Sequence, residues 1–197
     1  TTLSPPRRPG MVTLVIDEIP TSKRRGLNRV QWSMQTKPPI VPPAASIAGS
    51  STAGERFLPG TYTVRLTDAG QVATEPLTVT LDRRATYTVA DRQAQYAAAE
   101  RIKGMFQRMS TLVGQINGVR GQASALAQSP TAPPDVKSAA AQIGGKADAL
   151  RKEIVATTEG GAITGEERLR EHTDEIYGAI TGVEDRPTDY QVARIDA

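Results

Sequence analysis

One stretch in the second half of the chain repeats apolar residues at alternating steps of three and four. This spacing places apolar side chains along one side of an α-helix and is typical of helices that pack lengthwise against others. It predicts one helix over residues 90–127, roughly 55 Å long at about 1.5 Å per residue. The repeat consists of Ile102, Met105, Met109, Leu112, Ile116, Val119, Ala123 and Leu126, with Phe106 and Val113 widening it.

Three further helices are predicted after this one. A Pro-rich segment at 129–134 ends the first helix, and a second apolar seam runs from Val136 to Ile154. The T-x-x-E pattern at 164–167 resembles a capping box and predicts the start of a third helix. Thr188 and Gln191 mark the start of a short fourth. We therefore expect an antiparallel helical bundle over residues 89–197.

The predicted first helix is much longer than the second or the third. Neither of those two covers it alone, so part of its seam is left uncovered unless they stack end to end along it. An uncovered apolar seam is expected to bind either the first half of the chain or another protein.

The first half of the chain has a different pattern. Short alternating runs predict strands at 11–16, 27–34, 61–67 and 71–81, and a turn at 68–70 joins the last two as a hairpin. Short strands with one buried Trp predict an Ig-like β-sandwich over residues 1–88. A Pro-rich loop at 35–60 is expected to stay outside the sheet.

The predicted fold class is therefore two-domain, an all-β Ig-like sandwich followed by an all-α antiparallel bundle of three helices plus a short fourth. Its structural core is predicted to contain Trp32, Tyr62, Val64, Leu66, Ile102, Met109, Leu112 and Ile116.

Composition weighs against an enzyme or a metal protein. The chain has no Cys and one His, His172, so thiolate sites and the usual His-based sites lack candidates. Carboxylates at 166–175 are interleaved with Arg168 and Arg170, which indicates ion pairs on an exposed helix face rather than acid/base catalysis. We expect no catalytic residue, no cofactor and no metal.

The candidate partner contacts are scattered basic residues and two apolar residues of the Pro-rich loop. Aromatic residues make up only 4% of the chain, so the stacking surfaces of a nucleic-acid binder are scarce and no nucleic-acid partner is expected. The basic residues suit an acidic partner or an anionic lipid surface. The candidates are Arg7, Arg8, Lys23, Arg24, Arg25, Arg83, Arg84, Ile40 and Val41.

Three segments, 26–32, 59–66 and 76–79, resemble the Ig-like domain of the flagellar hook-capping type. Together with 91–96 and 186–188, they are similar in order to the C-terminal region of bacterial BNR or sortilin-type propeller proteins labelled glycosyl hydrolase. The chain departs from that pattern at Ser33 and Met34, where Asp and Arg usually follow the Trp. The propeller of that family is not among these 197 residues, so the resemblance transfers no catalytic residue.

The resemblance implies a non-catalytic structural or protein-interaction module of an exported bacterial protein, in the periplasm or outside the cell. One version is a periplasmic stabilising subunit of a membrane complex, respiratory or photosynthetic, whose partners are other subunits. The alternatives are a detached accessory region of a propeller-type glycoside hydrolase and a carbohydrate-binding sandwich. A chain that begins at Thr1 is expected to be a processed product or a fragment. No apolar run reaches the roughly 18–20 residues of a membrane span, so no transmembrane segment is expected.

Overall fold

The computed structural model of the chain describes residues 15–22, 24–45, 49–158 and 166–197, together with the backbone of residues 2–4. It contains four α-helices: α1 (Val89–Gln128), α2 (Pro134–Ile154), α3 (Leu169–Thr181) and α4 (Asp189–Asp196). Its strands are β1 (Thr2–Ser4), β2 (Asp17–Glu18), β3 (Gly60–Asp68) and β4 (Gln71–Val79), and a short 3₁₀ turn spans Ser50–Thr52.

The predicted long helix is present as α1, with 40 residues. The hydroxyl of Thr88 accepts a hydrogen bond from the backbone N–H of Asp91, whose carboxylate accepts one from the backbone N–H of Thr88. This reciprocal pair satisfies two backbone donors that a helix start leaves open. The same arrangement between Thr188 and Gln191 starts α4, as predicted. The predicted start of α3 at 164–167 falls partly outside the described residues, and α3 begins later, at Leu169.

The shorter helices stack end to end along α1. Helix α2 packs along the C-terminal half of α1, while α3 and α4 contact its N-terminal half. The buried line of α1 includes Ile102, Phe106, Met109, Val113 and Ile116. Around these residues the core is completed by Ala98, Ala99, Ile154, Val155, Tyr177, Ile180 and Ile195.

The predicted Ig-like sandwich is wrong. The described strands form one antiparallel sheet in the order β2-β1-β3-β4, and only the β3–β4 hairpin is long. A sandwich needs a second sheet packed over the first, and the described part of the chain contains none. Strand β4 is exposed along nearly its whole length. Residues 27–34, predicted as a strand, are irregular, and Met34 has a φ of 57°.

The aromatic residues of the first half form a small cluster instead of a sandwich core. The ring of Trp32 lies 5.3 Å from that of Phe57 and 5.8 Å from that of Tyr62, between centroids. Trp32 and Tyr62 are half-buried, as is Val64, whereas Leu66 is 47% exposed. Leu66 was therefore wrongly predicted in the core, because the described residues cover that face of the hairpin at Tyr62 and Val64 but less at Leu66.

Residues 35–57, which we call the strap, cross from the hairpin to the helices. They lie in the predicted Pro-rich loop, and residues 46–48 of the strap are outside the described set. An antiparallel bridge between Gln35 and Arg56 closes its base. Val41 and Ala44 pack against the helical core, so the strap completes that core rather than belonging to a separate β domain. Side-chain contacts between the strap and the helices therefore cross the domain boundary predicted at residue 88.

Candidate functional site

The predicted basic contacts do not form one patch in the part of the chain that the structure describes. Arg7, Arg8 and Lys23 lie outside the described residues. Arg24 lines a cavity against the hairpin, whereas Arg83 lines a different cavity near the start of α1. Arg25 is exposed, and Arg84 pairs with Asp82 at 2.8 Å. These residues therefore offer no single electrostatic surface.

The two apolar residues predicted to contact a partner have separate environments. Ile40 is 63% exposed, and its carbonyl accepts a hydrogen bond from the Ser110 hydroxyl at 2.8 Å. Val41 packs against the helical core and is half-buried. Val41 is therefore used within the chain, which argues against its predicted contact role.

A buried carboxylate holds the strap on the helices. The Glu55 side chain is 1% exposed and accepts hydrogen bonds from Thr36 Oγ1 at 2.7 Å and from Tyr177 Oη at 3.2 Å. Lys103 Nζ lies 3.1 Å from Glu55 and 2.8 Å from Glu100. A buried charge is tolerated when it is both paired and hydrogen-bonded, as here.

This environment shifts two pKa values. Burial alone would raise the pKa of Glu55, but its interactions with Glu100, Thr36 and Lys103 bring that pKa below the ordinary value. Burial and the neighbouring Glu55 raise the pKa of the Tyr177 phenol. Glu55 is thus an ionised, fully occupied structural acceptor rather than a general base.

The carboxylates at 166–175 mostly serve backbone groups. Asp174 accepts hydrogen bonds from the backbone N–H groups of Gly49, Ser50 and Ser51, and from the Ser51 hydroxyl. Gly178, one turn further along α3, leaves room for this contact because a Cβ there would collide with Ser50.

Two more of these carboxylates bind backbone near the start of α3. Glu171 accepts from the N–H groups of Ala156 and Arg168, each at 3.2 Å. Glu166 accepts from the Thr157 hydroxyl and the Thr158 N–H, and these interactions lower its pKa to about 2. Glu175 pairs with Arg194 of α4 rather than with Arg168 or Arg170, and the prediction of ion pairs on an exposed helix face missed these acceptor roles.

His172 lies on the exposed side of α3. Its Nδ1 is 3.9 Å from a Glu167 carboxylate oxygen, and both side chains are about half exposed. Among the described residues, no group of three or more His, Cys, Asp or Glu side chains is arranged to hold a metal ion.

The hairpin of α1 and α2 carries exposed apolar residues beside its buried seam. Leu112, predicted in the core, is 43% exposed, so that prediction is wrong. It belongs to a set of five residues that are each 43–52% exposed, which we call the apolar face. The apolar face consists of Leu112, Val119 and Leu126 on α1 and Ile143 and Leu150 on α2.

The members of the apolar face lie on the same side of the helix pair. On α1 its members follow the buried residues Met109, Ile116 and Ala123 by three positions. On α2 they follow Ala140 and Ala147 by the same three positions, and those two alanines lie towards α1. A step of three residues rotates by about −60° on a helix. Because the helices are antiparallel, the same rotation displaces both rows to the same side of the pair.

The opposite side of the same helix pair is polar. Asp148 on α2 pairs with Arg120 on α1 at 2.8 Å and with Lys152 at 3.0 Å. Ser124 and Ala141 lie on this side, beside Arg120 and Asp148. The two sides of one helical hairpin therefore differ in chemistry, with ion pairs on one and uncovered aliphatic side chains on the other.

Among the described strands, β4 forms an edge of the sheet. It contains Glu75 and Pro76 at its centre. Proline lacks the N–H that an added strand would use, and charged residues on an edge discourage pairing. This edge is therefore poorly suited to binding a strand from another protein.

The chain matches no protein-family model, no curated protein and no solved structure. The resemblance to propeller-associated Ig-like regions consequently stays a prediction for function, while its implied sandwich is overturned by the single sheet. In the described residues no helix combines the length and apolar character needed to cross a membrane.

Proposed function

We propose that the protein is a non-catalytic interaction module whose apolar face binds an amphipathic helix of a partner protein. The observation that carries this proposal is the three-residue displacement of exposed apolar residues from the buried seam, repeated on α1 and α2. The exposed residues recur every seventh position on each helix, which matches the spacing of helices packed side by side. A partner helix lying in the groove between α1 and α2 would cover all five.

We further propose that the partner is a subunit of an exported bacterial assembly, with the module on the periplasmic side of a membrane complex. The sequence resemblance to exported bacterial proteins supports this address. The apolar face would supply the protein contact that attaches the module to such a complex.

The test compares charge placed on the two sides of the same helix pair. The wild-type chain is extracted gently from its source, and proteins that travel with it are identified by mass spectrometry and purified. The double variant V119E/I143E places two charges on the apolar face. The matched control S124E/A141E places two charges on the exposed polar side. We expect V119E/I143E to weaken binding to the purified partner at least 100-fold and the control to change it less than threefold.

Three results would contradict the proposal. If the wild-type protein migrates alone at 21.0 kDa after gentle extraction, no partner protein is bound to it. If the protein migrates at twice that mass and V119E/I143E dissociates this particle, the apolar face binds a second copy of the chain rather than a partner protein. Equal weakening by both double variants would place the contact somewhere other than the apolar face.

A further inference from the structure

A cavity of about 410 Å³ lies where the hairpin meets the helices, and we call it the junction cavity. The end of the strap and the segment from Val79, the last residue of β4, to Arg83 form one wall, and the first turn of α1 together with the segment after α3 forms the other. Its volume falls within the range of about 300–1,000 Å³ that is common for small-molecule sites. Its cationic lining residues are Arg56, Arg83 and Arg92.

Arg92 is the unusual member of this set. It is 2% exposed, and its guanidinium donates one hydrogen bond, to the backbone carbonyl of Arg56 at 3.1 Å. None of the described carboxylates forms an ion pair with it. A buried guanidinium that lacks a counter-charge is costly, because it has lost water without gaining an anion.

The neighbouring charged groups are occupied elsewhere. Glu184 pairs with Arg56 at 3.0 Å and accepts from Tyr87 Oη at 2.6 Å, which raises the pKa of that phenol. Asp82 pairs with Arg84 at 2.8 Å. At the exposed rim, Arg83 forms no ion pair with a carboxylate in the described part of the chain. The cavity therefore has an excess of positive charge centred on Arg92 and Arg83.

The rest of the lining is largely apolar and includes Met34, Phe57, Pro59, Val79 and Leu81. We propose that the junction cavity binds a small monocarboxylate with an apolar body, whose carboxylate pairs with Arg92. A guanidinium binds a carboxylate through two parallel N–H···O contacts, and the apolar wall accepts the body of the ligand. A phosphate suits the cavity less well, because its second charge would lie near Glu184 and it offers nothing to the apolar wall.

The chain contains its own reporter for this binding. Trp32 is its single Trp, and its ring lies 5.3 Å from that of Phe57, which lines the cavity. The probes are octanoate, its neutral analogue octanamide, and inorganic phosphate, each titrated while Trp32 fluorescence is recorded and the heat of binding is measured. We expect octanoate to bind at least tenfold more tightly than octanamide and phosphate not to compete at millimolar concentration.

The variant Arg92→Met keeps an unbranched apolar stem and removes the guanidinium charge. We expect it to lose at least tenfold in octanoate affinity and to retain octanamide binding, with its fold checked by circular dichroism. The matched control Arg108→Met removes an exposed Arg of the same helix that does not line the cavity, and it should change affinity less than twofold. If Arg92→Met does not fold, the comparison of acid and amide on the wild-type protein still decides the question.

Equal affinity for octanoate and octanamide would overturn the proposal, and so would the absence of binding by octanoate. Competition by phosphate would show a general oxyanion site and would also overturn it. A short peptide ending in leucine, with a free or an amidated C-terminus, distinguishes the source of the carboxylate. If the peptide with the free C-terminus binds more tightly than octanoate, the carboxylate that pairs with Arg92 belongs to the C-terminus of a peptide chain. None of these results depends on the apolar face.

Discussion

The helical bundle and the β3–β4 hairpin carry apolar residues at equally regular spacing, but they bury them to different extents. Phe106 on α1 is fully buried, whereas Val72 on β4 is 58% exposed. The helices are covered by each other and by the strap, while the hairpin has no facing layer among the described residues. Regular spacing therefore shows which side of a helix or strand can be buried. Whether that side is buried depends on whether another element packs against it.

The comparison also concerns polar groups. Two buried or half-buried carboxylates, those of Glu55 and Asp174, hold the strap on the bundle. Each accepts hydrogen bonds from residues that are distant in the sequence. The hairpin depends mainly on its own ladder of nine paired positions per strand. Because local stability follows buried contacts, the hairpin should open more readily than the strap.

The largest expected effect tests the packed core against the hairpin. Phe106→Ala removes a ring that lies 6.1 Å from the Tyr177 ring, and it should lower the free energy of unfolding by about 3–5 kcal/mol. The control Val72→Ala should lower it by less than about 0.5 kcal/mol. Urea unfolding followed by circular dichroism measures both. Similar losses for the two variants would contradict the difference in burial.

The next effect concerns the buried carboxylate of the strap. Glu55→Ala removes one acceptor from each of Thr36 and Tyr177 and leaves Lys103 with one carboxylate, so we expect a loss of about 2–4 kcal/mol. Glu75→Ala in the exposed hairpin is the control and should be near neutral. A neutral result for Glu55→Ala in the same unfolding assay would show that the strap is held by apolar packing alone.

Asp174 tests the second attachment of the strap. Asp174→Ala removes the acceptor for three backbone N–H groups and one hydroxyl, and it should cost about 1–3 kcal/mol. The amide of Ser51 should exchange with solvent much faster in this variant. Glu175→Ala, one residue along α3, should leave that exchange rate unchanged. Unchanged protection of Ser51 in Asp174→Ala would refute this attachment.

A smaller effect is expected at the start of α1. Thr88→Ala removes the hydroxyl of the capping box and should lower stability by about 1 kcal/mol. Thr67→Ala near the hairpin turn removes an exposed hydroxyl and should change stability less. Equal changes in the two variants would indicate that the capping box contributes nothing to the fold.

The smallest expected effect is a pH dependence from Glu55. Its pKa is lower in the folded protein than in the unfolded chain, so its stabilising contribution is present above the unfolded value of about 4.5. That contribution is lost as the pH falls through the lower folded pKa. The acid slope of stability should therefore be shallower in Glu55→Gln than in the wild type. An identical slope in both proteins would assign acid sensitivity to other carboxylates.

Much of the helical part was predictable because its signals are local. The capping residues Thr88 and Thr188, the Pro-rich segment at 129–134 and the seven-residue repeat all act within a few turns of one helix. The sandwich was not predictable in the same way, because alternation at Tyr62, Val64 and Leu66 is equally consistent with a hairpin that has one weakly covered face.

The apolar face was anticipated only as an uncovered part of the seam on the first helix. The sequence pattern assigned Leu112 and Met109 to the same seam, because residues three apart lie on neighbouring sides of a helix. The contribution of α2 was missed, although the same displacement by three positions was visible at Ile143 and Leu150. The roles of Glu55, Asp174 and Arg92 had no local signal, since even the nearest of these partners, Thr36, lies 19 residues from Glu55.

By itself, the sequence determined where α1 and α4 begin, where α1 ends, which turn joins β3 to β4, and which side of the long helix is apolar. These features depend on backbone geometry and on hydrogen bonds between residues close in the chain. Only the tertiary structure decided which apolar side is covered, that the strap completes the helical core, and that Arg92 faces a cavity without a paired carboxylate in the described chain. Those outcomes depend on contacts between distant segments, and the spacing of residues along the chain does not specify them.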